Sequence, residues 1–128
     1  MARGPMDTVH QLVAAINSGN LDAAVALYEG SAVLLSPEGA PARGTAELRA
    51  ALGGLIAMKA RLGAQAERLI EAGDVALYLS RWSLQGTDPG GGAIEMAGES
   101  TDVLRRQADG RWLIAIDNPW GVKTLAST

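Results

Sequence analysis

Few of the residue types that carry most enzymatic chemistry are present in this chain. It has no cysteine, which excludes a disulfide framework, a thiolate nucleophile and a Cys-ligated zinc site together. One histidine, His10, leaves almost no room for a His-rich metal centre or a Ser-His-Asp triad. Carboxyls, hydroxyls and indoles remain. Asp102, in TDVLRR, and Asp117, before NPW, lie in two neighbouring strand-like runs, at parities that can bring both carboxyls to one inner face. Two such acids close together in an apolar cavity cannot both ionise comfortably, so one proton tends to be shared. That pair suits proton transfer or dehydration. The competing structural expectation is that each aspartate bonds a nearby amide, tyrosine or indole, and for Asp117 the DNP triplet also reads as a strand-ending turn.

The elements that must position these groups follow from composition and periodicity. With 128 residues, 48% of them hydrophobic and 20% charged, the chain fits one globular domain able to bury its own core. We place that domain at 7–122, with terminal extensions at 1–6 and 123–128. A formal net charge of −3 draws the protein to neither phosphate backbones nor anionic lipid. The N-terminus lacks a secretory h-region and no apolar run reaches a membrane span, so a cytoplasmic protein is expected.

Val9, Leu12, Val13 and Ile16 recur at helical spacing, with Thr8 and Gln11 as a capping box and Gly19 as a left-handed stop. Asn20 then caps a second helix expected to turn Leu21, Val25 and Tyr28 inward and to end near Gly30. Ala32 to Leu35 reads as a strand closed by a turn-rich stretch from Ser36 to Pro41. A third helix follows, with Gly44 as N-cap, Glu47 at its third position and Leu48, Leu52 and Leu55 as its buried stripe. Four strands are expected next: Leu62 to Glu71, Val75 to Gln85, Ala93 to Arg106 and Arg111 to Asn118. Their short Gly-Asp, Gly-rich and Asp-Gly connections predict an antiparallel meander. The Ala-rich first of the four is also compatible with helix. Helices first and a meander afterwards indicate an α+β architecture.

The order and spacing of SGNLDAAVALY, AVLLSPEGAPARG, TAELRAAL, GDVALYLSRWSLQG and GESTDVLRRQADGRWLIAIDNPWG resemble the nuclear transport factor 2-like superfamily along nearly the whole chain. The most similar branches are the SnoaL-like polyketide cyclases, the ketosteroid isomerases and a large neighbouring family of unassigned function. The resemblance implies a cone-shaped α+β barrel, in which a helical hairpin and a third helix pack in a curved antiparallel sheet around a cavity. It also implies a homodimer through the outer sheet face. The superfold hosts many activities, so fold does not settle function.

Aligned with the ketosteroid isomerases, Tyr78, Ser80 and Trp82 fall at pocket-facing positions, as do Gly98, Ser100 and Asp102, and then Ala115 and Asp117. Ile94, Met96 and Leu104 share the parity of Asp102, as an apolar pocket wall would. That family needs a carboxylate base, a tyrosine and a protonated aspartic acid beside the developing oxyanion. Asp102 matches the acid. The base position falls at Ser36, with Glu38 two residues on, and the tyrosine position at Leu12, so steroid isomerisation by that mechanism is not expected. The expectation is instead a pocket for a small apolar or amphipathic molecule, with Asp102 and Asp117 as acid/base candidates and no metal or nucleotide. Ser36, Tyr78, Ser80, Trp82, Ser100 and Trp120 are the expected ligand contacts, Tyr78 donating a hydrogen bond into the cavity. The rival expectation is a non-catalytic dimeric binding or scaffold domain. Tyr28 is expected to plug the junction of helix and sheet, and His10 to lie at the surface. Arg81, Arg105 and Arg106 are expected to pair on the outer face, too few for a nucleic-acid surface.

Overall fold

The structure is a computed structural model that describes residues 4–127. Helix α1 (Pro5–Ser18) is capped at its C-terminus by left-handed Gly19, φ 74°, and α2 (Leu21–Val25) is capped by the Asn20 side chain, which accepts from Ala23 N at 3.1 Å. Strand β1 (Tyr28–Leu35) and the short β2 (Pro41–Arg43) precede α3 (Gly44–Ala57). Then come β3 (Arg61–Ala72), β4 (Val75–Thr87), β5 (Ala93–Arg106) and β6 (Trp112–Asp117), closed by a 3-10 helix, Gly121–Ser127. Of the expected terminal extensions, residues 1–3 and 128 lie outside the described residues; Pro5 and Met6 begin α1, and 123–127 belong to the closing helix.

The strands form one sheet in the order β2-β1-β6-β5-β4-β3. The meander from β3 to β6 is antiparallel, whereas β1 runs parallel to β6. Leu34 near one edge and Ala64 near the other line the same cavity, so the sheet curves round it; it stays open, because β2 and β3 do not pair. α3 supplies Leu48 and Leu52, each 1% exposed, to the core beside Leu12 and Ile16 of α1 and Leu104 of β5. Burying one such side chain contributes about 1.5–3 kcal/mol.

Several local expectations are corrected. Thr8 is not a cap: α1 begins three residues earlier with Pro5 in its first turn, and the fully buried Thr8 hydroxyl donates to Trp112 O at 2.7 Å. Tyr28 belongs to β1 and not to α2, because Leu27 O accepts from Ile114 N and starts the pairing with β6. Part of the expected turn before α3 is β2, whose Pro41 sits on the sheet edge, where no ladder donor is required. Arg43, not Gly44, is the cap of α3, and Glu47 reaches back to its N–H at 2.9 Å, one half of a capping box. The Ala-rich 61–72 segment is a strand, since pairing along β4 overrides its helical propensity.

Candidate functional site

The inner face of the sheet, α1 and α3 enclose a cavity of about 370 Å³. Its walls are mostly apolar, with Leu12 and Ile16 from α1, Leu52 and Leu55 from α3, and Met96 and Ile114 from the sheet. The alternation of β4 and β5 explains the polar positions: Tyr78, Ser80 and Trp82 on one strand, and Ser100 and Asp102 on the next, all point inward. Trp120 follows β6 and also lines the cavity, as does Ser36, held in its turn by Ser36 N donating to Ala40 O at 2.9 Å. Glu38 is not among the lining residues, and the tyrosine position of the isomerases is filled by apolar Leu12.

Asp102 and Asp117 both line this cavity and lie within hydrogen-bonding reach of each other. Asp102 is 9% exposed; Asn118 N donates to its Oδ1 at 2.7 Å. Burial, then the neighbouring charge of Asp117, pushes the Asp102 carboxyl well above the usual carboxylate range. Asp117 is also raised by burial, but donors oppose this: the Tyr28 hydroxyl at 2.5 Å and Asp102 itself. Two carboxyls so placed disfavour ionising together, and the Tyr28 bond favours the charged form at Asp117. Among the described residues no buried side-chain polar atom lacks a partner.

A β-bulge aims Asp117. Leu104 pairs with Ile114, but the next pair is Val103 with Ile116, so Ala115 is an extra residue in β6. Ile114 lines the cavity, and Ala115, expected there from the alignment with the ketosteroid isomerases, does not. The bulge restores the inward direction at Asp117, opposite Asp102.

Two other side chains differ from expectation. Tyr78 lines the cavity, yet its hydroxyl donates to Glu67 Oε2 on β3 at 2.7 Å, and burial with this bond raises its pKa. Tyr28 is a member of the site that sequence reasoning assigned to packing. Its signal was faint, because a tyrosine before Glu-Gly reads as a helix end. Trp82 donates to Pro119 O at 2.7 Å and meets Trp120 edge to face, ring centroids 5.2 Å apart, forming an aromatic corner of the cavity. Trp112 is buried in the core and does not line it. His10 is at the surface, 2.8 Å from Glu67. On the outer face Arg81 pairs with Glu99 at 3.2 Å and Arg105 with Glu29 at 2.9 Å, whereas Arg106, expected there too, has the opposite parity in β5, lies 6.0 Å from the Trp112 ring and pairs with Asp74 at 2.5 Å. Among the described residues no cluster of three or more His, Cys, Asp or Glu is placed to hold a metal ion, and no helix is long and apolar enough to cross a membrane.

Comparison with known proteins places this geometry. The SnoaL-like domain model matches residues 9–114. No curated protein matches the sequence significantly. Among solved structures, a conserved protein from Planctomyces limnophilus is similar at 22% identity, covering 88% of each chain with a TM-score of 0.79. A nuclear transport factor 2-like superfamily protein from Salmonella enterica is 15% identical, covering 88% of this chain and 84% of that one, TM-score 0.78. A "putative ketosteroid isomerase" from Shewanella frigidimarina is 24% identical, covering 87% and 89%, TM-score 0.75. At such identities the likeness is one of fold, and it agrees with the cone-shaped α+β architecture.

Proposed function

The chain belongs to the SnoaL-like domain family, and from that premise we propose that it binds a small, largely apolar or amphipathic molecule and acts on it by acid/base chemistry without metal or nucleotide. The observation that carries this reading is that two carboxyls, Asp102 and Asp117, line an otherwise apolar cavity of about 370 Å³, with Asp102 buried and Asp117 bonded by the Tyr28 hydroxyl. A carboxyl kept protonated by burial can donate to a carbonyl or hydroxyl oxygen of the ligand. Asp117, supported by Tyr28, can then accept a proton from a neighbouring carbon. Isomerase-, cyclase- and dehydratase-like reactions all have this form. The steroid isomerase mechanism is outside the proposal, because its base and tyrosine positions hold Ser36 and Leu12. The Trp82–Trp120 corner offers an apolar wall for a planar ligand.

The test is the Asp102→Asn variant assayed on apolar carbonyl and hydroxy compounds that the wild type turns over. The amide keeps the acceptor for Asn118 and a donor toward Asp117, so folding persists while turnover is lost. Retained turnover would remove Asp102 from the chemistry.

A second reading, a non-catalytic binding or scaffold domain, draws on the outer sheet face. Ile70, Leu77, Val103 and Ile116 stand in register across β3, β4, β5 and β6. Ile70, Leu77 and Ile116 are exposed by 49%, 37% and 42%. This apolar row suits a homodimer interface, in a cytoplasmic setting, under either reading.

A further inference from the structure

The helices α1 and α3 present only apolar residues to the cavity, among them Val9, Leu12, Ala51 and Leu52. Apart from Ser36 in its turn, the hydroxyls and carboxyls come from the sheet, and the pairing of β4 with β5 sets several of them in rows. Tyr78 stands opposite Asp102, Ser80 opposite Ser100, and Trp82 opposite Gly98. Successive rows on one face are two residues, roughly 6.5 Å, apart. The wall therefore grades from an acid row through a hydroxyl row to an aromatic one. In the first row the Tyr78 hydroxyl is engaged with Glu67 Oε2 at 2.7 Å, which leaves the carboxyl as the group for a ligand. In the second row the two serine hydroxyls lie 2.6 Å apart, with Ser100 5% exposed and Ser80 half-buried. Two hydroxyls carry two protons, and the bond between them uses one. The second proton and the remaining lone pairs are costly in an apolar wall unless a polar atom comes to meet them.

We propose that the Ser80–Ser100 pair is a second polar contact for the ligand, so that the molecule bound here carries two oxygen functions. One oxygen meets the acid row and the other the hydroxyl row, while the apolar body lies toward α1, α3 and the Trp82–Trp120 corner. This assignment rests on reading the cavity as the ligand site and Asp102 as its acid. Both oxygens are neutral. Among the described residues no Lys, Arg or His lines the cavity, so a carboxylate or phosphate there would meet Asp102 and Asp117 with nothing to neutralise it. The ligand class is therefore an apolar hydroxy-ketone, diketone or diol. Its carbonyl oxygen can accept the serine proton that the pair leaves over, and a hydroxyl can also donate to a serine lone pair.

The experiment is equilibrium binding of two neutral probes, 2-naphthol and naphthalene-2,7-diol, to the full chain by calorimetry. The diol carries both hydroxyls on one long edge and adds only an oxygen to the same apolar body. The wild type is expected to bind the diol about tenfold more tightly, the upper worth of one added hydrogen bond. Ser80→Ala combined with Ser100→Ala removes both partners of their bond at once and orphans neither, so the chain is expected to fold. In that variant the preference should fall to about twofold or less while 2-naphthol binds as before. Ser80→Ala alone, at the half-buried partner, should lower the preference as well. No measurable preference in the wild type, or the wild-type preference kept in both variants, overturns the second contact and leaves the acid/base reading standing. That reading fails separately, if Asp102→Asn retains turnover.

Discussion

The Tyr28 hydroxyl donates a 2.5 Å hydrogen bond to Asp117 Oδ2, tying the first residue of β1 to the last of β6 inside the cavity. This bond favours the ionised form of Asp117. Tyr28→Phe is therefore expected to raise the titration of the pair. It should also cost about 1.5–3 kcal/mol, the usual worth of a hydrogen bond to a charged group. Denaturant unfolding and carboxyl infrared titration measure the two effects. An unchanged titration would mean that the phenol does not support the carboxylate.

Stability should fall as pH rises, because the raised Asp102 carboxyl makes the folded chain bind more protons than the unfolded one. The loss begins near the unfolded aspartate value of about 3.9 and continues until the folded-state value is passed. Asp102→Asn removes the ionisation, so its melting temperature should exceed that of the wild type most at alkaline pH and least in acid. Parallel pH profiles for the two proteins would contradict the raised carboxyl.

Gly98 leaves room for the aromatic corner. A Cβ there would stand 2.9 Å from Trp82 Cζ2 and 3.2 Å from Pro119 O. Gly98→Ala should shift the indole, weaken its bond to Pro119 and cost about 1–3 kcal/mol by overpacking. A changed tryptophan emission spectrum together with weaker uptake of a planar apolar probe would report it; wild-type behaviour in both would show that the corner yields easily.

The row Ile70-Leu77-Val103-Ile116 predicts the oligomer. Leu77→Arg puts a charge at its centre on an exposed position and leaves the cavity untouched. Sedimentation should show a dimer for the wild type and a monomer for the variant. A variant that remains a dimer would place the interface elsewhere.

Much of this was legible in the sequence. The spacing of Val9, Leu12 and Ile16, the Gly19 stop and the Asn20 cap define the helical hairpin by local rules. The alternation from Ile94 to Leu104 marks Asp102 as inward before any coordinate is known. Apolar periodicity and turn chemistry act over a few residues, so they can be read locally. Tyr28 illustrates the limit, because its strand conformation depends on parallel pairing with a segment more than eighty residues away.

The sequence by itself therefore determined an α+β chain with one sheet face set aside for a cavity and an acid on it. Whether Asp102 and Asp117 meet was decided only by tertiary structure. Ala115 bulges in β6 to fit the register of its neighbour, and that single extra residue reverses which side of the strand every later side chain faces. Counting along β6 brings Asp117 to the inner face only through the wrong companion, Ala115. The folded sheet brings it there with Ile114, opposite Asp102 and against Tyr28. A carboxyl's protonation depends on such neighbours and on its distance from water, both of which come into being when the chain has closed around the cavity.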